Sequence, residues 1–127
     1  MIVLDTHAWL WWLNDPSRLS RRAAEAIEEA DGLGVCAISL WEFALLVEKH
    51  AVEPRLDPAE WLEAALSVPR VELLDLTPAV AIGSSRLDGF HRDPADRLIV
   101  ATAVANEVPL VTKDERIRRW EGVRTIW

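Results

Sequence analysis

The sequence predicts a three-layer α/β/α sandwich with a mostly parallel central sheet, folded as one domain over residues 1–127. Three observations carry that expectation. Short apolar runs rich in β-branched residues alternate with longer segments whose apolar positions recur at helical spacing. Runs such as IVL (2–4) and VCAI (35–38) are apolar on both faces, as strands covered by helices on each side must be. A chain of 127 residues, 50% hydrophobic and 28% charged, is also large enough to bury one sizeable core and has no low-complexity segment.

The elements follow in order. Ile2 to Leu4 reads as a buried strand, and a short helix runs from there to about Leu13, stopped by Asn14-Asp15-Pro16. Ser20 to Asp31 is alanine-rich, pairs Arg21 with Glu25 at i,i+4 and ends at Gly32, which makes it a helix. Val35 to Ile38 is the second strand. Ser39 then caps a helix whose apolar positions are Leu40, Phe43, Ala44 and Val47. Pro54 and Pro58 bracket a loop before a helix from about Ala59 to Leu66. VELLDL (71–76) alternates as a strand, and Thr77-Pro78 starts a helix to about Leu87. Gly89 to Arg92 is a loop, and Asp93-Pro94 caps a helix from Ala95 to Asn106 that is apolar nearly all round, so central. Val108 to Thr112 is a strand, and Val123 to Ile126 a last one.

Composition excludes several classes. Cys36 is the only cysteine and sits in an apolar strand, so neither a disulfide framework nor a thiolate metal site is available. The net charge of −7 argues against coating nucleic acid by bulk charge, but not against a nuclease whose local field is reversed by metal. No apolar run approaches the ~18 residues that cross a bilayer, and Asp5 interrupts the stretch a signal peptide would need. A cytoplasmic protein without a membrane partner is the expectation.

In a parallel sheet the carboxyl ends of strands and the amino ends of the following helices share one edge, where ligands bind. Four acids fall there. Asp5 follows the first strand and Asp114 follows the strand PLVT after Lys113; Glu42 and Asp96 each lie three residues after a cap candidate, Ser39 and Asp93. Taken singly, SLWE and DPAD are capping patterns that need do no more than satisfy free helix amides, and Asp114 could be a turn residue. Together they are costly: at an effective dielectric of about 20, two carboxylates about 4 Å apart repel by roughly 4 kcal/mol. A hard divalent cation removes that cost, and His7 and His91 lack zinc spacing, so an all-oxygen Mg2+ or Mn2+ site is the better reading. Such a site suits phosphodiester hydrolysis, since the ion acidifies water and neutralises charge on phosphorus oxygens. Lys113, Arg116, Arg118 and Arg119 around Asp114, and Arg92 and Arg97 around Asp96, form a locally basic rim able to guide a phosphate backbone.

The segments LDTHAWLWWL, ISLWE, HRDPADRLIVATA and LVTKD resemble, in order and spacing, the PIN-domain ribonucleases, specifically VapC-type toxins of toxin-antitoxin pairs. The likeness runs from residue 2 to about residue 114. The resemblance implies a PIN fold, a Mg2+ or Mn2+ requirement and endonucleolytic RNA cleavage. It maps the family's acids onto Asp5, Glu42, Asp96 and Asp114, and places Thr6 and Thr112 where a hydroxyl would orient water or ligand. It further implies a cognate VapB-type antitoxin and homodimers or larger assemblies with it. Helical phase favours Asp96 as ligand and Asp93 as cap. Among the tryptophans, Trp9 and Trp12 share a helix face with Leu13 and belong to the core, leaving Trp11 as the candidate contact to a subunit or antitoxin, with base stacking a third reading behind these. Two rivals are kept. A receiver-type phosphoacceptor domain would put an acidic pair after its first strand, which Asp5 lacks, and a noncatalytic PIN-like module would lack one or more of the four acids.

Overall fold

The computed structural model describes residues 1 to 127. Five strands, β1 (Ile2–Leu4), β2 (Leu33–Cys36), β3 (Val71–Leu74), β4 (Leu110–Val111) and β5 (Thr125–Ile126), form one sheet in the order β3-β2-β1-β4-β5. All four pairings are parallel, with Val3 opposite Gly34 on one side and Leu110 on the other. Seven helices connect them: α1 (Thr6–Asn14), α2 (Arg21–Glu29), α3 (Ala37–Glu48), α4 (Pro58–Leu66), α5 (Pro78–Ser84), α6 (Pro94–Ala105) and α7 (Glu115–Arg119).

Side-chain alternation on the strands divides the core in two. Ile2, Leu4, Leu33, Val35 and Val111 join Trp9 of α1, Ile27 of α2 and Phe43 of α3 on one face. Val3, Cys36 and Leu110 meet Ile99, Val100 and Ala103 of α6 and Ile117 of α7 on the other. Proline opens α4, α5 and α6, and Asp57, Thr77 and Asp93 cap them through their side chains. Each proline stands where its missing N–H is unneeded.

Boundaries differ from expectation where the local signal misleads. The second strand starts at Leu33, not Val35, and the helix after it starts at Ala37, not Ser39. Gly34 carries no apolar side chain to announce a strand, yet here its bareness is used: an added Cβ would lie 2.6 Å from Leu74 Cδ1. The strands expected over 71–76, 108–112 and 123–126 are each shorter. Helix α7, with Ile117 as its one apolar residue, is too short to show a period. No helix is long and apolar enough to cross a membrane.

Candidate active site

The chain runs outward from β1 to β2 and β3, then returns to β4 beside β1, so the order reverses between β1 and β4. Open parallel sheets leave a crevice at the carboxyl ends of such a pair. Asp5 leaves β1 there and Asp114 follows β4, while α3 and α6 bring in Glu42 and Asp96 from either side. All four, with Asp93, line one cleft of about 410 Å3.

Hydroxyl groups hold two of the carboxylates. Asp5 is 4% exposed; its Oδ1 accepts from the Thr6 backbone N–H at 2.8 Å and its Oδ2 from the Thr112 hydroxyl at 2.6 Å. The same Thr112 oxygen accepts from the Asp114 backbone N–H at 3.0 Å, so one side chain joins the two strand-end acids. The Thr6 hydroxyl donates to Glu42 Oε1 at 2.5 Å and lies 2.8 Å from the fully buried Ser39 Oγ. With one proton per hydroxyl, Ser39 then donates to Thr6. Ser39 is therefore not the cap of α3, and the expected capping box does not form: Cys36 occupies the cap position without a side-chain bond, and Glu42 stands in the second turn. Burial raises the Glu42 carboxyl, the Thr6 hydroxyl opposes this, and Asp5 and Asp93 add to it.

Two histidines complete the arrangement. His7 Nε2 accepts from the Lys113 backbone N–H, which leaves the ring proton on Nδ1, 3.5 Å from Asp5 Oδ2. His91 Nδ1 accepts from the Asp93 N–H, so its proton lies on Nε2, 3.2 Å from Asp96 Oδ2 though not aligned to bond with it. Asp93 caps α6 by accepting from the Asp96 N–H. Arg116 lies between Asp96 and Asp114, at 3.5 and 3.4 Å. Asp96 is nevertheless pushed up to about 7, first by burial and then by Asp5, Asp93, Asp114 and Glu42. For Asp114 burial acts upward, but bonds from the Arg116 side chain and the Arg116 and Ile117 amides together hold it below the usual carboxylate range.

The four carboxylates offer hard oxygen donors, and the rise at Asp96, first from burial and then from four neighbouring carboxylates, is one that a divalent cation would offset. No three of the His, Cys, Asp and Glu side chains are gathered so as to hold a metal ion by themselves. Carboxylate oxygens are the kind of donor that Mg2+ takes, since it keeps several waters and needs one or two protein carboxylates beside substrate phosphate. In donor chemistry the four carboxylates thus fit such an ion.

The cations of the expected rim divide. Lys113, Arg116 and Arg92 are exposed. Arg97 is not part of a phosphate-binding rim: its guanidinium donates to the carbonyls of Ser84, Phe90 and His91 at 2.8, 3.1 and 2.9 Å, tying the α5–α6 connection to α6. Arg97→Ala is expected to cost about 2–3 kcal/mol in urea unfolding, with only partial recovery in Arg97→Lys, because an ammonium cannot reproduce the planar fork. Trp9 is fully buried and Trp12 packs on the same core. Trp11 turns away from that core but meets other parts of the chain: His7 at 4.9 Å, Trp127 at 5.9 Å and the Arg18 guanidinium at 4.3 Å. Sequence reasoning missed the part Ser39 plays, and also Trp41 of α3 and Lys49 just after that helix, which line the acid cleft. For Lys49 the available signal was its place two helical turns after Glu42; nothing comparable marks Trp41.

Sheet order and cleft define the class first: a small parallel α/β protein whose carboxyl edge gathers five acids in one cleft at the topological switch point. The chain belongs to the PIN-domain family, whose model matches residues 2–123, and within it to the VapC-type members. Ribonuclease VapC22 of Mycobacterium tuberculosis is 41% identical over 129 residues, covering 99% of this chain and 98% of its own. Among solved structures, VapBC2 from Rickettsia felis, bound to a DNA fragment from their promoter, aligns with a TM-score of 0.72 at 21% identity over 98% of this chain and 97% of that one. A toxin-antitoxin complex from Klebsiella pneumoniae gives 0.70 at 19%, over 97% and 95%. At those identities the two structures share the fold.

Proposed function

We propose that this protein is a Mg2+- or Mn2+-dependent endoribonuclease, the toxin of a toxin-antitoxin pair, acting in the cytoplasm as a single domain. The observation that carries the reading is the convergence of Asp5, Glu42, Asp96 and Asp114 on one cleft at the carboxyl edge of the sheet. The ribonuclease named above, similar along 99% of this chain, supports RNA as the substrate.

Asp5 and Asp96 would hold the ion most directly, with Glu42 and Asp114 completing its surroundings directly or through water. When bound, the ion supplies Lewis acidity toward phosphoryl oxygens and acidifies water. The protein's own groups do the positioning. Thr112 and the Thr6 amide fix the Asp5 oxygens, and Thr6, backed by Ser39, fixes Glu42. Arg116, placed between two of the acids and half exposed, is set to meet a phosphate oxygen, and Lys113 and Arg92 add positive charge at the rim. A VapB-type antitoxin that closes the cleft, and a homodimer or larger assembly with it, are proposed as partners; of the two solved structures above, one is named VapBC2 and the other a toxin-antitoxin complex.

The test is cleavage of cellular RNA by purified, antitoxin-free protein with Mg2+ or Mn2+. Wild type should cut, and EDTA, Asp5→Asn and Asp96→Asn should each abolish cutting. Wild-type rates in both variants would sink the reading.

A further inference from the structure

The acid cleft is the first of three that share walls. It has His7 and Asp114 in common with a second cleft of about 540 Å3. That one shares Glu115, Arg118 and Trp127 with a third, of about 510 Å3. Each is of the size that takes a small ligand. Their chemistry changes in sequence. Five acids line the first; Trp11, Trp127, Lys113 and Arg118 mark the second; Arg22, Arg118 and Arg119 mark the third.

Two features of this run call for a ligand. Arg22, Lys113, Arg118 and Arg119 are all exposed, and none forms an ion pair, although the chain has 21 acids against 14 Lys and Arg. Glu115 is the one unpaired acid lining the second and third clefts, so the cations there outnumber it, and an anion would relieve their repulsion. The second feature is aromatic. Trp11 and Trp127 stand 5.9 Å apart, with His7 at 4.9 and 6.2 Å from them and the Lys113 ammonium 5.7 Å from the Trp11 ring. These rings come from α1 and from the residue after β5, and they meet at the carboxyl edge of the sheet, where Trp127 also packs on the rim of the first core cluster.

We infer that this run of clefts is the track for one flank of a single-stranded RNA substrate, an inference that rests on the ribonuclease reading above. Phosphates lie along Lys113, Arg118, Arg119 and Arg22, and a base stacks on the Trp11–Trp127 rings. Interleaved cations and aromatic faces are how proteins hold unpaired strands, since every base has a stacking face and every nucleotide a charge. Only an unpaired base exposes that face. The excess of four unpaired cations over the single unpaired acid Glu115, and their continuity with the acid cleft, favour a polyanion over an antitoxin segment. Trp11 therefore serves the substrate, in place of the partner contact that its outward helical position suggested.

The experiment measures affinity for a short fluorescein-labelled single-stranded RNA by anisotropy, in the Asp96→Asn background so that the probe survives. Arg118→Glu and Arg22→Glu are each expected to weaken binding by roughly tenfold and to lower the salt-dependence slope by about 0.7 per lost phosphate contact. Trp11→Leu should weaken it by about tenfold, within the range of a lost stacking contact, with its thermal midpoint checked beside it. Arg55→Glu, in the α3–α4 connection away from the three clefts, is the charge-matched control and should leave affinity unchanged. A 4-thiouridine probe should crosslink to peptides containing Trp11, Lys113 or Trp127. Equal affinity in the Arg118, Arg22 and Arg55 variants, or crosslinks confined to other surfaces, would overturn the track. So would loss of antitoxin binding in Arg118→Glu with RNA affinity intact. Wild-type protein that cleaves RNA while those variants bind normally would refute the track alone; wild type inert with both metals would refute the ribonuclease reading instead.

Discussion

Asp96→Asn is expected to have two opposite effects: RNA cleavage falls by at least about a thousandfold, and the metal-free protein above pH ~7 becomes more stable. The loss follows from removing a proposed metal ligand, since about 4 kcal/mol of transition-state stabilisation corresponds to three decades of rate. The gain follows from burial and four neighbouring carboxylates, which raise the Asp96 carboxyl from 3.8 to about 7. A group whose folded value is raised contributes its full stability below the unfolded value and loses it as pH climbs through the folded one. For Asp96 that window runs from 3.8 to about 7. The shift as it stands corresponds to roughly 4 kcal/mol. Arg116, half exposed at 3.5 Å, and solvent at the cleft mouth reduce what is realised to about 1–2 kcal/mol. Thermal unfolding in EDTA across that window should therefore show the wild-type midpoint falling relative to that of Asp96→Asn. Adding Mn2+ should raise the wild-type midpoint and leave the variant's nearly unmoved, because only a ligand of the folded state stabilises it. A variant less stable than wild type at every pH would mean that Asp96 is held by structural partners and not crowded by like charges.

How far the sequence reveals this site depends on whether each residue's position is set locally. Asp5 ends an apolar run, Asp96 sits inside the DPAD cap pattern and Asp114 follows a strand, so neighbouring residues suffice to place all three on one edge. Glu42 is placed on the right helix but in the wrong turn, because SLWE imitates a capping box. What decides against the box is Thr6, which takes both Ser39 and Glu42 from 33 and 36 residues away. Arg97 fails for the same reason: nothing beside it in sequence says that the carbonyls of Ser84 at the end of α5 and of Phe90 and His91 in the connection will surround its guanidinium. The cluster of Trp11 with Trp127 and the five-residue α7 are likewise products of tertiary packing, since one joins the two ends of the chain and the other is too short to carry a period.

The net charge of −7 is not in conflict with an RNA substrate once the charges are located. The acids of the cleft are those a divalent ion would offset, and the unpaired cations of α7 and the loop before it lie on the same edge. Nucleic-acid binding responds to the local field within about a Debye length, ~8 Å at physiological salt, more than to the sum over the surface.

The second large effect is expected from a residue that bears no charge. Thr112 is fully buried, donates to Asp5 and accepts from the Asp114 amide, so Thr112→Val removes two bonds while keeping shape and volume. A buried acceptor and a backbone donor are then left short of partners, at a cost of about 1–3 kcal/mol each and less where water reaches the gap. The denaturation midpoint should fall accordingly, and cleavage should fall by roughly a hundredfold, as expected when a reacting constellation is displaced by about an ångström. Thr112→Ser separates the causes, because it keeps the hydroxyl and loses only the methyl group. If the hydroxyl positions Asp5, serine restores cleavage and the Mn2+ dependence of wild type, even with some stability lost to the missing methyl. If valine matches wild type in Mn2+ dependence while serine does not, then packing, and not the bond to Asp5, is what Thr112 contributes. The threonine two residues before Asp114 thus lets one mutation test whether the two strand-end acids act as a pair.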